Sequence, residues 1–166
     1  TGLLTTPAAD GMDIGASTTV TMVSSKTVTG ILNLLANALV MLGTHNLTHT
    51  GTINGFTTTS HIVTNGTGKL VKTNVGASFA IFPVGPNATT LNSVAIFNGS
   101  GFNYGVRVEV GINPTIDAPL DAVNRTWFVT PFGGNPASVN VNFMYEAAHC
   151  NAGWTPPPAQ LELGLH

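Results

Sequence analysis

From Thr18 to Gly30 the chain alternates: Val20 and Met22 fall on one face of an extended segment, Thr19 and Thr21 on the other. A period of two residues predicts a strand. Its Thr-rich polar face suits an edge strand, or an arm whose Val20, Met22 and Val28 pair into a neighbouring subunit. The preceding residues 1 to about 18, with small side chains, a proline and Gly turns, read as an irregular leader. Ile31 to Leu42 satisfies both periods: Ile31, Leu34, Leu35, Ala38, Leu39 and Leu42 at helical spacing, Leu32/Leu34 and Leu39/Met41 at strand spacing. With no charged residue for a solvent face and no flanking cap, strands are expected there.

From Leu32 to Leu70 short apolar pairs recur at Leu32/Leu34, Leu39/Met41, Leu47, Ile53, Ile62/Val63 and Leu70/Val71. Between them lie Ala36-Asn37, Gly43-Thr44, Gly51-Thr52, Asn54-Gly55 and Asn65-Gly66, corners of the kind that tight turns need. Short strands with regular corners predict the coils of a small β-solenoid. The second half holds strand-like runs at Ser78–Phe82, Ser93–Phe97, Gly105–Val110, Trp127–Thr130 and Val139–Met144, spaced as in a sandwich. Val106, Val108 and Val110 alternate with Arg107 and Glu109, and Val139, Val141 and Phe143 with Asn140 and Asn142. Trp127 is expected at the centre of the core. The fold class is therefore all-β: short β-solenoid-like coils followed by an antiparallel β-sandwich. The expected organisation is a leader and arm over 1–29, coils over 30–76, a sandwich over 77–155, and a Pro-rich stretch with a terminal strand or tail over 156–166.

Composition changes the picture at the surface. Five basic and seven acidic residues make 7% of the 166-residue chain, against 43% apolar; an ordinary soluble domain carries roughly 25% charged residues. Threonine, serine, asparagine and glycine must solvate the exterior, and a net charge of −2 gives little self-repulsion. Such a surface is either coated by glycans or covered by self-association. The scattered Lys26, Lys69, Lys72, Arg107 and Arg125 form no stripe for phosphates, so nucleic acid is not an expected partner. No apolar run reaches the roughly 18 residues of a membrane helix. A chain that starts at Thr1 with neither Met nor a signal peptide reads as a processed form or a fragment. The single Cys150 allows no internal disulfide; it is either a buried thiol or a link between molecules.

Five Asn-x-Ser/Thr sequons, at Asn46, Asn65, Asn87, Asn98 and Asn124, are candidate glycosylation sites, although Asn-Gly-Thr and Asn-Gly-Ser also make ordinary turns. O-linked sugars on the Thr-rich leader are a further expectation. His45 and His49 would sit about 13 Å apart along a strand at ~3.3 Å per residue, too far to share an ion, and read with His61 as surface or turn histidines. Asp10 and Asp13 offer two carboxylates but no evident further ligands for calcium. Asp117 and Asp121 lie in a Pro-containing loop where turn-forming Asp is ordinary, and neither a nucleophile elbow nor a phosphate loop occurs. No enzyme, metal or cofactor is expected.

Four segments, HIVTNGTGKLVKTNVG (61–76), FPVGPNATTLNSVAI (82–96), VNRTWFVT (123–130) and VNVNFMY (139–145), together resemble a module of large secreted surface proteins of the Bacteroidota. The leucine-rich spacing from 32 to 47 resembles the solenoid coils that precede that module. The resemblance implies an extracellular or cell-surface location and service as adhesin, stalk or coat. Those relatives are longer and end in a sorting domain, so a short chain of this kind is expected to be a subunit polymerising into a filament or surface layer by strand pairing between copies. The alternative is a carbohydrate- or protein-binding adhesion module cut from a longer protein.

Overall fold

The structure, a computed structural model, describes residues 11–112 and 122–150. Nine short strands make three coils. β1 (Met12–Ile14), β2 (Thr19–Thr21) and β3 (Lys26–Val28) form the first; β4 (Leu32–Leu34), β5 (Leu39–Met41) and β6 (Leu47–His49) the second; β7 (Ile53–Asn54), β8 (His61–Val63) and β9 (Leu70–Val75) the third. Each strand pairs in parallel with its counterpart one coil on: Met12 lies opposite Leu32, Leu32 opposite Ile53, Leu39 opposite His61 and Leu47 opposite Leu70. This is a β-solenoid with three sheets as its sides.

Columns of inward side chains follow from the register. Val20, Val40, Ile62 and Val84 stack along one wall, and all four are essentially excluded from water. Truncating such a residue, Ile62 for example, to Ala should cost about 2–5 kcal/mol. At the corners, Asn37 takes a positive φ of 59°, which asparagine tolerates because its side chain hydrogen-bonds locally. Gly51 is required for a different reason: a Cβ there would lie 1.8 Å from the Gly30 carbonyl oxygen one coil below. Outside the core, Asn54 donates to Asn33 Oδ1 (3.3 Å) and Asn33 donates to Asp13 Oδ1 (2.7 Å), a side-chain ladder up one wall.

The remaining strands are β10 (Ala80–Phe82), β11 (Val84–Gly85), β12 (Val94–Phe97), β13 (Phe102–Val110), β14 (Arg125–Phe132) and β15 (Asn140–Phe143), followed by a single 3-10 turn, Ala147–His149. β11 extends one solenoid wall, giving the order β11-β8-β5-β2. A second wall changes character at β9, which takes β6 in parallel on one edge and β13 antiparallel on the other, so the order runs β14-β13-β9-β6-β3. The third wall stops at β7; β10 turns away and forms an antiparallel sheet, β10-β12-β15. Trp127 of β14 meets Phe143 of β15 with ring centroids 5.0 Å apart, joining the two antiparallel layers. One apolar cluster runs from Ile14 through Phe82 and Tyr104 to Val108, so coils and sandwich share a core.

Several expectations change. The described part of the leader and arm, residues 11–29, is the first coil itself: Met12–Ile14 is a strand, and Val20, Met22 and Val28 are buried in the shared core. The alternation that suggested a free arm reports burial against the next coil, whose partners lie 20 residues on. Ile31 to Leu42 forms β4 and β5, as expected for strands. Trp127 is only half-buried, packed on the cluster's side, whereas Tyr104 and Phe82 occupy its centre. Val110 lies 58% exposed, past the point where Val106 and Val108 meet the core. The expected tail over 156–166 and the Asp117/Asp121 loop fall outside the described residues, except Ala122 onward.

Candidate functional site

The place where the third wall stops is a cleft of about 520 Å³. One side is the β6–β7 corner, including Thr50, Thr52, Ile53, Asn54 and Phe56; the other is the end of β9 and the run into β10. Among the described residues both flanking strands end a sheet. β7 is the last strand of β1-β4-β7, and β10 is the first of β10-β12-β15. The Leu32 N–H donates to the Thr52 carbonyl at 2.9 Å with Leu32 opposite Ile53, so in a parallel ladder the N–H and C=O of Ile53 point away from β4, toward the missing rung. Phe79 (49% exposed) and Ile81 form an apolar rim.

His49 and Lys72 belong to the cleft lining, and their placement follows from register. Val28, His49, Lys72 and Tyr104 are successive residues of one column in the sheet β3-β6-β9-β13, which turns from apolar to polar as it nears the cleft. Lys72 is only 8% exposed; its ammonium donates to the Gly51 carbonyl at 3.3 Å and meets no carboxylate among the described residues. Burial pushes its pKa below the ordinary lysine value. His49 is 1% exposed, and burial, aided by the nearby Lys72 charge, lowers its pKa to about 4. The Gly51 N–H donates to His49 Nδ1 (3.3 Å), which leaves the neutral ring's proton on Nε2, a buried nitrogen with no hydrogen-bond partner among the described residues. The lining therefore holds a buried ammonium with one hydrogen bond and a buried imidazole N–H with none among the described residues.

A second polar cluster lies in the sandwich. Asn92, fully buried, accepts from Arg125 Nε at 2.9 Å, donates through Nδ2 to the Met144 carbonyl at 3.4 Å, and lies 3.2 Å from His149 Nδ1; its carbonyl accepts from Trp127 Nε1. These bonds tie the segment leading into β12 to β14 and to the 3-10 turn, a structural role. Burial and then the Arg125 charge push His149 below the ordinary histidine pKa, against an opposing pull from Glu146. Elsewhere Arg107 pairs with Glu109 and stacks 3.5 Å over the Phe128 ring, and Lys69 donates to Thr130 Oγ1 at 2.7 Å.

The structure separates the sequon asparagines. Asn98 is fully buried, donates to the Tyr104 hydroxyl at 2.6 Å and accepts from the Ser100 N–H, so its amide has no room for a sugar in the folded chain. That candidate is withdrawn. Asn46 is half-buried and its side chain accepts from the Lys69 N–H across the coils; Asn65, exposed, accepts from the Gly43 N–H. Asn87 and Asn124 are exposed. The histidines also differ from the expected surface or turn type: His49 and His61 are buried, His61 with its ring nitrogens against the carbonyls of Thr57 (3.3 Å) and Asn87 (2.8 Å). Cys150 is half-buried at the end of the 3-10 turn. Among the described residues no three His, Cys, Asp or Glu side chains gather as a metal site would need, and no helix is long and apolar enough to cross a membrane.

Sequence reasoning missed Lys72 and the cleft. A lysine within the apolar run Leu70-Val71-Lys72 was the available signal, since a strand position in step with Leu70 faces inward.

The class of protein these features define is a short β-solenoid capped by antiparallel sheets, with a cleft where one wall ends. No known protein family, no curated protein and no solved structure matches the chain.

Proposed function

We propose that the chain is a non-enzymatic structural subunit of the cell exterior, assembling into filaments or layers by strand pairing between copies. The observation that carries this reading is the open end of the solenoid. Among the described residues β1, β2 and β3 are each the outermost strand of their sheet, and all belong to the first coil. Leu39 N–H donates to the Thr18 carbonyl and Met22 N–H to the Met41 carbonyl, so Thr19 and Thr21 direct their backbone groups outward; Lys26 N–H to Asn46 and Thr50 N–H to Val28 leave Thr27 doing the same. An exposed ladder of this kind is a template for another strand, and a head-to-tail contact that does not close on itself makes a fibre. The charge-poor surface and the resemblance to secreted surface modules support the same reading, with glycans at exposed sequons as an accompanying coat.

Residues 11–29 are core rather than arm, so the test keeps them and blocks their outward edge. Thr21→Pro and Thr27→Pro each remove one outward N–H from an edge strand, where proline is tolerated. The double variant should stay folded by circular dichroism and give monomers where the native chain gives filaments in negative-stain micrographs. Filaments of unchanged length in the double variant would sink the reading. The cleft favours a second reading, an adhesion module that binds a partner.

A further inference from the structure

The cleft lies between two strand edges, β7 and β10, that belong to different sheets and are not hydrogen-bonded to each other. A ligand with alternating backbone donors and acceptors could satisfy both edges at once; a sugar ring offers no such ladder. The free groups of Ile53 supply the pairing on one side. The apolar rim of Phe79 and Ile81 suits an alternating side chain that faces out of the floor. Lys72, nine-tenths buried with the Gly51 carbonyl as its one partner among the described residues, asks for an anion, and His49, whose buried Nε2 has no hydrogen-bond partner among them, lies in the same lining. Charge complementarity thus selects among extended peptides.

We propose that the cleft binds an extended acidic peptide, which enters as a strand between β7 and β10 and sets a carboxylate against Lys72. Strand addition supplies the affinity through main-chain bonds, and the buried ammonium supplies the preference for acid. The inference gives a ligand class to the second reading and does not depend on polymerisation.

The probe is the acetylated, amidated hexapeptide Thr-Val-Glu-Val-Thr-Val, titrated calorimetrically into the full chain beside its Gln-for-Glu counterpart and tri-galacturonate. The acidic peptide should bind at least about tenfold more tightly than the Gln peptide, and should slow hydrogen exchange at the Ile53 amide. Lys72→Met should erase the difference between the two peptides; since this variant removes a buried charge, its folding is checked by circular dichroism, and the two-peptide comparison on the native chain stands without it. Equal affinity for the two peptides, no binding up to about 1 mM, or binding without protection of Ile53 would overturn the proposal. Binding of tri-galacturonate alone would overturn it too, while leaving a carbohydrate-binding adhesion module in place.

Discussion

Thr64→Val tests how the solenoid is joined to the sandwich. β13 pairs with β9 as far as Val106, which lies opposite Leu70. Two residues further on, at Val108, β9 has no residue to offer, and the Thr64 side chain takes its place. Its hydroxyl donates to the Val108 carbonyl at 2.9 Å and lies 3.0 Å from the Val108 nitrogen, whose N–H it accepts. One side chain thus makes the reciprocal pair of bonds that a facing strand residue would make. Thr64 is 2% exposed and Val108 fully buried, so no solvent replaces what is lost. Each orphaned buried group costs about 1–3 kcal/mol, which sets the expected loss at about 3 kcal/mol. For a chain of this size that is a fall of about 6–12 °C in melting temperature. Thr64→Ser keeps the hydroxyl, loses one methyl, and should stay within about 1 kcal/mol of the native chain. Urea denaturation of the three proteins gives the comparison. A valine variant within about 0.5 kcal/mol of native, or a serine variant as weak as the valine, would refute the junction described here.

Three further outcomes follow from buried polar groups. His49 has a folded pKa of about 4 against 6.5 for the free side chain, so its neutral form is the native one; its contribution is whole above pH 6.5 and is lost as pH falls toward 4, about 3 kcal/mol in all. His49→Gln should flatten the urea midpoint over that window, and an unchanged pH profile would contradict the assignment. Asn92→Leu strands the Arg125 guanidinium and the His149 ring in the sandwich, and should cost about 2–4 kcal/mol in the same assay; a loss under 1 kcal/mol would show the cluster to be dispensable. Glycopeptide mapping of natively produced protein should find Asn98 unmodified, any sugar being confined to sequons such as Asn87 and Asn124; a glycan on Asn98 would mean that the buried contact with Tyr104 is not formed.

Much of the secondary structure was legible because strands this short carry their period in two or three residues. Leu32 and Leu34 face inward, and Val141 and Phe143 pack on the core, where the alternation placed them; β5 forms where expected but turns Val40 inward and leaves Leu39 and Met41 half-buried, because three apolar residues in a row carry no alternation to read. The other errors share one cause, that alternation records which face is buried but not against what. Val20, Met22 and Val28 have the pattern of an arm waiting for a neighbour, yet their cover comes from residues of the chain's own next coil. Val110 continues the alternation of Val106 and Val108, yet the core ends before it. Asn98 looks like any other sequon in a turn until Tyr104 is brought across it.

By itself the sequence determined an all-β chain, coils before a sandwich, and a charge-poor surface, because strand period, turn residues and composition are local properties. Only the tertiary structure decided where each wall of the solenoid ends. That choice depends on whether β10 pairs with β7 or with β12, a competition between strands far apart in the chain that no local pattern records. The cleft and the free edges beside it follow from that one pairing, and the register of β9 against β6 and β13 brings Lys72 to it.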